Sequence, residues 1–267
     1  MQRQSLKNLS IISVILLVFV LPLMTLYHPE DVWCFTSRMY YGIQVFVIHL
    51  ALAMWFFTLG ASIGEFKNTD ISNFAKNALI SLSVIIYVGY NCFQYLIDNW
   101  GIYFDASECI GGYLSEMLVY RLPKLLYALI PLIIGILVSG RVGKLQENKL
   151  SPFGWMWPLL FMAGCCISEW FYFRDKIYAM IFSAVAIFPL TGTILLSYRL
   201  AAGNALNKYV EKHNKVFGFV AYLYPSAIFI YVFKIYCNPI LVLFYLGVIW
   251  VIFKYVGKNK ITYERES

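Results

Sequence analysis

Long apolar runs recur along this chain, each close to the length a helix needs to cross a bilayer, and they leave a soluble fold little room. A hydrocarbon layer about 30 Å thick takes about 20 helical residues to span. Eight stretches meet that requirement, at residues 9–27, 41–64, 78–97, 118–140, 155–170, 177–198, 216–235 and 239–253. The predicted fold class is therefore all-α: a polytopic membrane helix bundle, with residues 1–267 forming a single integral membrane domain. Residues that are 61% hydrophobic and only 13% charged agree with that reading.

Two of the runs need argument. Arg3 and Lys7 precede the first one, as in a signal peptide, but no small-residue cleavage site follows Leu21-Pro22-Leu23, so an uncleaved span is expected. The last two runs are broken only between Lys234 and Pro239. As one helix they would be about twice the length required, so a tight hairpin is the better expectation.

Loop charge sets the orientation. With the N-terminus inside, fifteen of the 21 Lys and Arg fall in inner segments, against six acids; the outer segments hold six bases and eight acids. Enrichment of Lys and Arg on the side that is not translocated orients helices in the membrane, and it predicts both termini inside. The basic pI then reflects topology and anionic inner-leaflet lipid, which removes the reason to expect a nucleic-acid partner. Trp33, Trp100 and Trp170 fall at the predicted outer interface, and Trp155, Trp157 and Trp250 at the inner one, where aromatic belts form.

The six cysteines show neither a CxxC pair nor a Cys/His metal spacing. Cys34 and Cys109 lie on the two sizeable outer loops, where an oxidising compartment permits a disulfide; small buried hydrophobes are the alternative for all six. The one glycosylation sequon, Asn8-Leu9-Ser10, falls on the inner side. With the short loops, this leans toward a bacterial cytoplasmic (inner) membrane.

The third run carries the sharpest polar pattern. Ser83, Tyr87, Asn91, Gln94 and Asp98 follow one another at steps of four, four, three and four, which lays them on one helical face. Amides facing lipid would be unsatisfied, so this face should meet other helices or a hydrated crevice opening outward near Asp98. Arg121 and Lys124 begin the fourth run, Glu169 ends the fifth, and Tyr231 shares a face of the seventh with Lys234. These are the candidate crevice residues. Lys234 should either snorkel to the interface or meet an acid such as Asp98 or Glu169. His49, within the second run, is expected to be a hydrogen-bonded packing residue, and Gly60 and Gly64 form a GxxxG that permits close helix approach.

No HExxH, Walker loop, GxSxG or paired-histidine haem motif occurs, so no metal or cofactor is expected and the balance leans against an enzyme. Three functions follow. The first is a carrier or channel-like protein in which the polar face binds or passes a small polar or amphipathic molecule, or a lipid. The second is an immunity or exclusion protein that meets a toxin or an incoming apparatus through outer loops 29–40 and 101–117. The third is an enzyme acting on a lipid-linked substrate at the outer face, with Arg121 and Lys124 on phosphate and Asp98 or Glu169 as general base.

Overall fold

A computed structural model describes residues 2–27, 34–63, 81–82, 84–94, 110–114, 117–138, 152–172 and 174–266. These residues are almost wholly helical, with no strand among them. In chain order, the helices that matter here are α1 (Gln2–Ile15), which runs through a π-helical turn at Leu16–Val20 into α2 (Leu21–Thr25); α3 (Phe35–Ile63); α4 (84–94); α5 (Leu122–Val138); α6 (Met156–Phe171); α7 (Lys176–Val185) and α8 (Ile187–Ala201); α9 (Asn204–Lys212); α10 (Asn214–Leu223) and α11 (Ala227–Val232); and α12 (Pro239–Glu266).

Four of the described helices are long and apolar enough to cross a membrane: Gln4–Thr25, Phe35–Ser62, Lys176–Ala201 and Asn214–Val232. Leu122–Val138, Met156–Phe171 and Pro239–Tyr255 are shorter apolar helices, and the third predicted span, 78–97, is described only in part. The surface fits lipid better than water: Phe188, Ile240, Leu243, Phe244 and Leu137 are among many large apolar side chains left exposed, Phe188 by 76%. A soluble monomer rarely exposes so much contiguous apolar surface. The interior is mainly apolar, built on residues such as Leu52, Trp55, Phe56, Phe57 and Phe161, but it also buries Ser5, Asn8, Ser13, Arg38, His49, Thr58, Asn91 and Gln94.

Helix α3 is the central element. It is apolar on every side between Ala51 and Phe57, and a helix of that kind belongs in an interior. It packs against α1, α5, α6 and α8. The α3–α5 crossing is built on two glycines. A Cβ on Gly60 would overlap the Leu132 carbonyl oxygen, and one on Gly135 would overlap that of Phe57. Small residues let backbones approach where no hydrophobic effect drives association, which is the role expected of Gly60; Gly64 lies outside the described residues. Gly42 does the same for α6, where a Cβ would meet the backbone of Cys166.

Polar groups inside the bundle are tied across helices. Asn8 Nδ2 donates to Ala201 O at 2.9 Å and to Asn207 Oδ1 at 2.6 Å, fastening the middle of α1 to the end of α8 and to α9. The sequon asparagine is therefore buried and hydrogen-bonded. Ser13 Oγ donates to Ala51 O at 2.9 Å.

The span at Asn214–Val232 is broken at Tyr224–Ser226, a 3-10 turn imposed by Pro225, which has no N–H to continue the helix. Trp55 braces the break: Tyr224 O, which accepts from Ala227 N within the turn, also accepts from Trp55 Nε1 at 2.8 Å, while the Tyr224 hydroxyl donates back to Trp55 O at 2.8 Å. Broken backbone at membrane depth is tolerated when neighbouring helices satisfy it in this way. After α11 the chain turns sharply. Lys234 adopts a left-handed backbone (φ 52°), Ile235–Cys237 forms a 3-10 turn, and Asn238 Oδ1 accepts from Ile240 N at 3.0 Å to start α12. The last two runs form the expected hairpin.

Candidate functional site

The first turns of α5 divide two polar clusters. On one side lies the face of α4. Tyr87, Asn91 and Gln94 are all buried, Tyr87 and Asn91 almost completely, and Asn91 Nδ2 donates to Tyr87 O at 2.9 Å. Arg121 closes a π-helical turn at Met117–Arg121, and its Nη1 donates to Gln94 Oε1 at 2.7 Å. That bond is charge-assisted and so stronger than a neutral pair. The Tyr87 ring lies 6.0 Å from that of Tyr231 on α11, which stacks on Tyr236 at 6.1 Å. Asp98 and Ser83, predicted for the same stripe, lie outside the described residues.

On the other side of α5 is a cavity of about 90 Å³ bounded by α3, α5, α6 and α7. Its charged and titratable lining is His49, Lys124, Glu169, Tyr127, Tyr172 and Cys165, with Ser168 and Ser183 beside them. Glu169 feels the positive charges of Lys124 and of Arg38, which is itself buried in the first turn of α3. The two clusters join through Lys124: its backbone carbonyl accepts from the Tyr87 hydroxyl at 3.3 Å, while its side chain lines the cavity.

The geometry of His49 gives this cavity its chemical character. Its Nδ1 lies 2.8 Å from Val45 O. A carbonyl only accepts, so Nδ1 carries the proton and Nε2 presents a lone pair. That Nε2 is buried with no hydrogen-bond partner among the described residues. Packing against the Tyr127 ring, at 4.4 Å between centroids, holds the imidazole in place. The walls nearby are internally satisfied: the Tyr127 hydroxyl donates to Ser183 O, Ser168 Oγ donates to Ala179 O at 3.0 Å, and the hydroxyls of Ser168 and Ser183 lie 2.6 Å apart. A buried acceptor without a donor is costly, so the space beside it suits water or an N–H or O–H group of a bound molecule. At about 30 Å³ per water, the cavity has room for roughly three waters.

Of the predicted residues, then, Tyr87, Asn91, Gln94, Arg121 and Tyr231 meet on one side of α5, and Lys124 and Glu169 on the other. Lys234 joins neither; it is exposed on the turn between α11 and α12. The proposed disulfide falls on Cys34, whose sulfur lies 3.0 Å from Thr36 Oγ1 and 3.1 Å from Ser37 Oγ, and on Cys109, outside the described residues. Loops 29–40 and 101–117 are described only in part. Among the described residues no three His, Cys, Asp or Glu side chains gather to hold a metal ion. Arg38, Tyr127, Ser168 and Ser183 were not among the candidates; single polar residues on separate helices carry no shared spacing that could group them.

No protein-family model, curated protein or solved structure matches this chain. The functional reading rests on the two clusters alone.

Proposed function

We propose that this chain is an eight-span protein of a bacterial inner membrane, with both termini cytoplasmic, and that it binds or translocates a small polar or amphipathic molecule through a polar crevice open to the outer face. One observation carries the reading: a cavity lined by the half-buried Glu169 and Lys124 and by the buried His49, whose Nε2 has no hydrogen-bond partner among the described residues, within one bundle. Ionisable groups among membrane helices are expensive, and they point by default to a functional site. A donor and two acceptors around a small volume suit a molecule with both a proton donor and an anionic or carbonyl group.

Helix breaks agree with this reading. Discontinuous helices recur around transport sites, and here Pro225 interrupts the span whose Tyr231 packs on Tyr87. Helix ends assigned to the outer side by loop charge also come together: Thr25 Oγ1 donates to Tyr236 O at 3.0 Å, Phe35 meets Trp170 at 5.5 Å between rings, and Arg121 reaches Gln94.

Native mass spectrometry of the protein purified from its own membranes in lipid nanodiscs tests the proposal. A small molecule should be retained, be lost on Glu169→Gln and on Lys124→Gln, and survive Lys234→Gln. An empty cavity beside a stoichiometric protein partner would overturn it in favour of immunity or exclusion, as would a ligand indifferent to both cavity variants.

A further inference from the structure

A second recess, of about 410 Å³, opens between the start of α6 and the length of α8. It has no part in the polar clusters. Phe188, Thr191, Leu195 and Arg199 follow one another along α8 at steps of three, four and four, so they form one face. Three of them are suited to hydrocarbon: Thr191 turns its hydroxyl back to Ile187 O at 3.2 Å, which leaves no polar demand in the groove before Arg199. Trp157 forms the opposite wall. Its indole lies across Gly192, where a Cβ would strike the ring, so the glycine lets the indole seat against α8. From Phe188 to Arg199, at about 1.5 Å per residue, the face runs about 16 Å. That is one leaflet of a hydrocarbon layer about 30 Å thick.

We infer that this groove holds an acyl chain of an anionic phospholipid, with the headgroup phosphate on Arg199. The length matches one leaflet, the lining is apolar to its end, and the cation sits where the chain would emerge into the headgroup layer. A planar guanidinium with five donors can grip phosphate while also serving a neighbour within the protein. Basic pockets between membrane helices recognise acidic lipids by this combination. Interfacial Trp155, 59% exposed beside the same end of α6, fits the headgroup level.

The test uses brominated lipids, which quench nearby tryptophan. The full-length protein is reconstituted in phosphatidylcholine vesicles containing a small fraction of brominated phosphatidylglycerol or brominated phosphatidylcholine. The signal of Trp157 is the difference between the unaltered chain and Trp157→Phe. Phosphatidylglycerol should occupy the site roughly fivefold more strongly, as one added charge contact implies. Arg199→Gln should bring the ratio close to one. Equal quenching by the two lipids in the unaltered chain overturns the inference without depending on any Arg199 variant, and so does a preference that survives Arg199→Gln.

Discussion

Gly60 and Gly135 each stand where the backbone of the other helix passes, and no rotamer can relieve the overlap that a methyl group would create there, because the atoms struck are main-chain. Overpacking of this kind costs about 1–3 kcal/mol. Gly60→Ala and Gly135→Ala should therefore each lower the unfolding midpoint in detergent, read by differential scanning fluorimetry. Gly218→Ala and Gly247→Ala meet nothing within 4 Å and should leave it unchanged or raise it, since alanine favours helix. Equal effects at all four positions would refute this account of the crossing. The same scale shows what was legible in the sequence. Tyr87, Asn91 and Gln94 share a face because their spacing is helical, and burial of that face follows from the cost of amides in lipid. His49 and Arg38 carried no such signal. Both lie on α3, and their surroundings are decided by α5, α6 and α7 arriving from distant parts of the chain. Asp175 is similar: as sequence it is one outer acid among eight, whereas in the fold its Oδ1 caps α7 by accepting from Ile177 N at 2.9 Å.

At the level of elements, the broken span α10–α11 depends on α3. The reciprocal bonds between Trp55 and Tyr224 stand where Pro225 removes the regular helical ladder. A hydrogen bond between membrane helices contributes about 0.6 kcal/mol on average and up to about 1.7, and each carbonyl keeps another donor, Ala227 N for Tyr224 O and Thr58 Oγ1 for Trp55 O. Trp55→Phe and Tyr224→Phe should each destabilise the protein by about 0.5–1.7 kcal/mol. Their double mutant should cost less than the sum, because each change already removes part of one shared unit. Strict additivity in a denaturation series would show that the two bonds act independently. The break itself could be read from Pro225, and the hairpin at 233–238 from run length and Pro239. The partner that braces the break could not, since nothing local links Trp55 to a carbonyl 169 residues away. Nor does any residue pattern announce the π-helical turns at Leu16–Val20 and Met117–Arg121, which answer to packing.

Among the described residues, apolar side chains fill the interior and also cover much of the surface, and buried polar groups such as Asn8, Ser13 and Asn91 are tied by hydrogen bonds. That apolar surface could be anticipated from composition and run length, because a chain so apolar has nowhere else to put its side chains. The cavity beside His49 could not, because it is a property of four helices together. The central claim of the proposed function is that the end of the bundle carrying Glu169, Lys124 and Arg121 faces the outside. Cys237 is exposed on the turn between α11 and α12 at that end, and His213 is exposed between α9 and α10 at the opposite end. The decisive measurement is labelling with a membrane-impermeant maleimide in intact cells, with all other cysteines changed to serine. Cys237 should react directly, whereas His213→Cys, placed in a background with Cys237→Ser, should react only after the cells are permeabilised. The reverse pattern would turn the bundle over, put the cavity on the cytoplasmic side and contradict an outward-facing site.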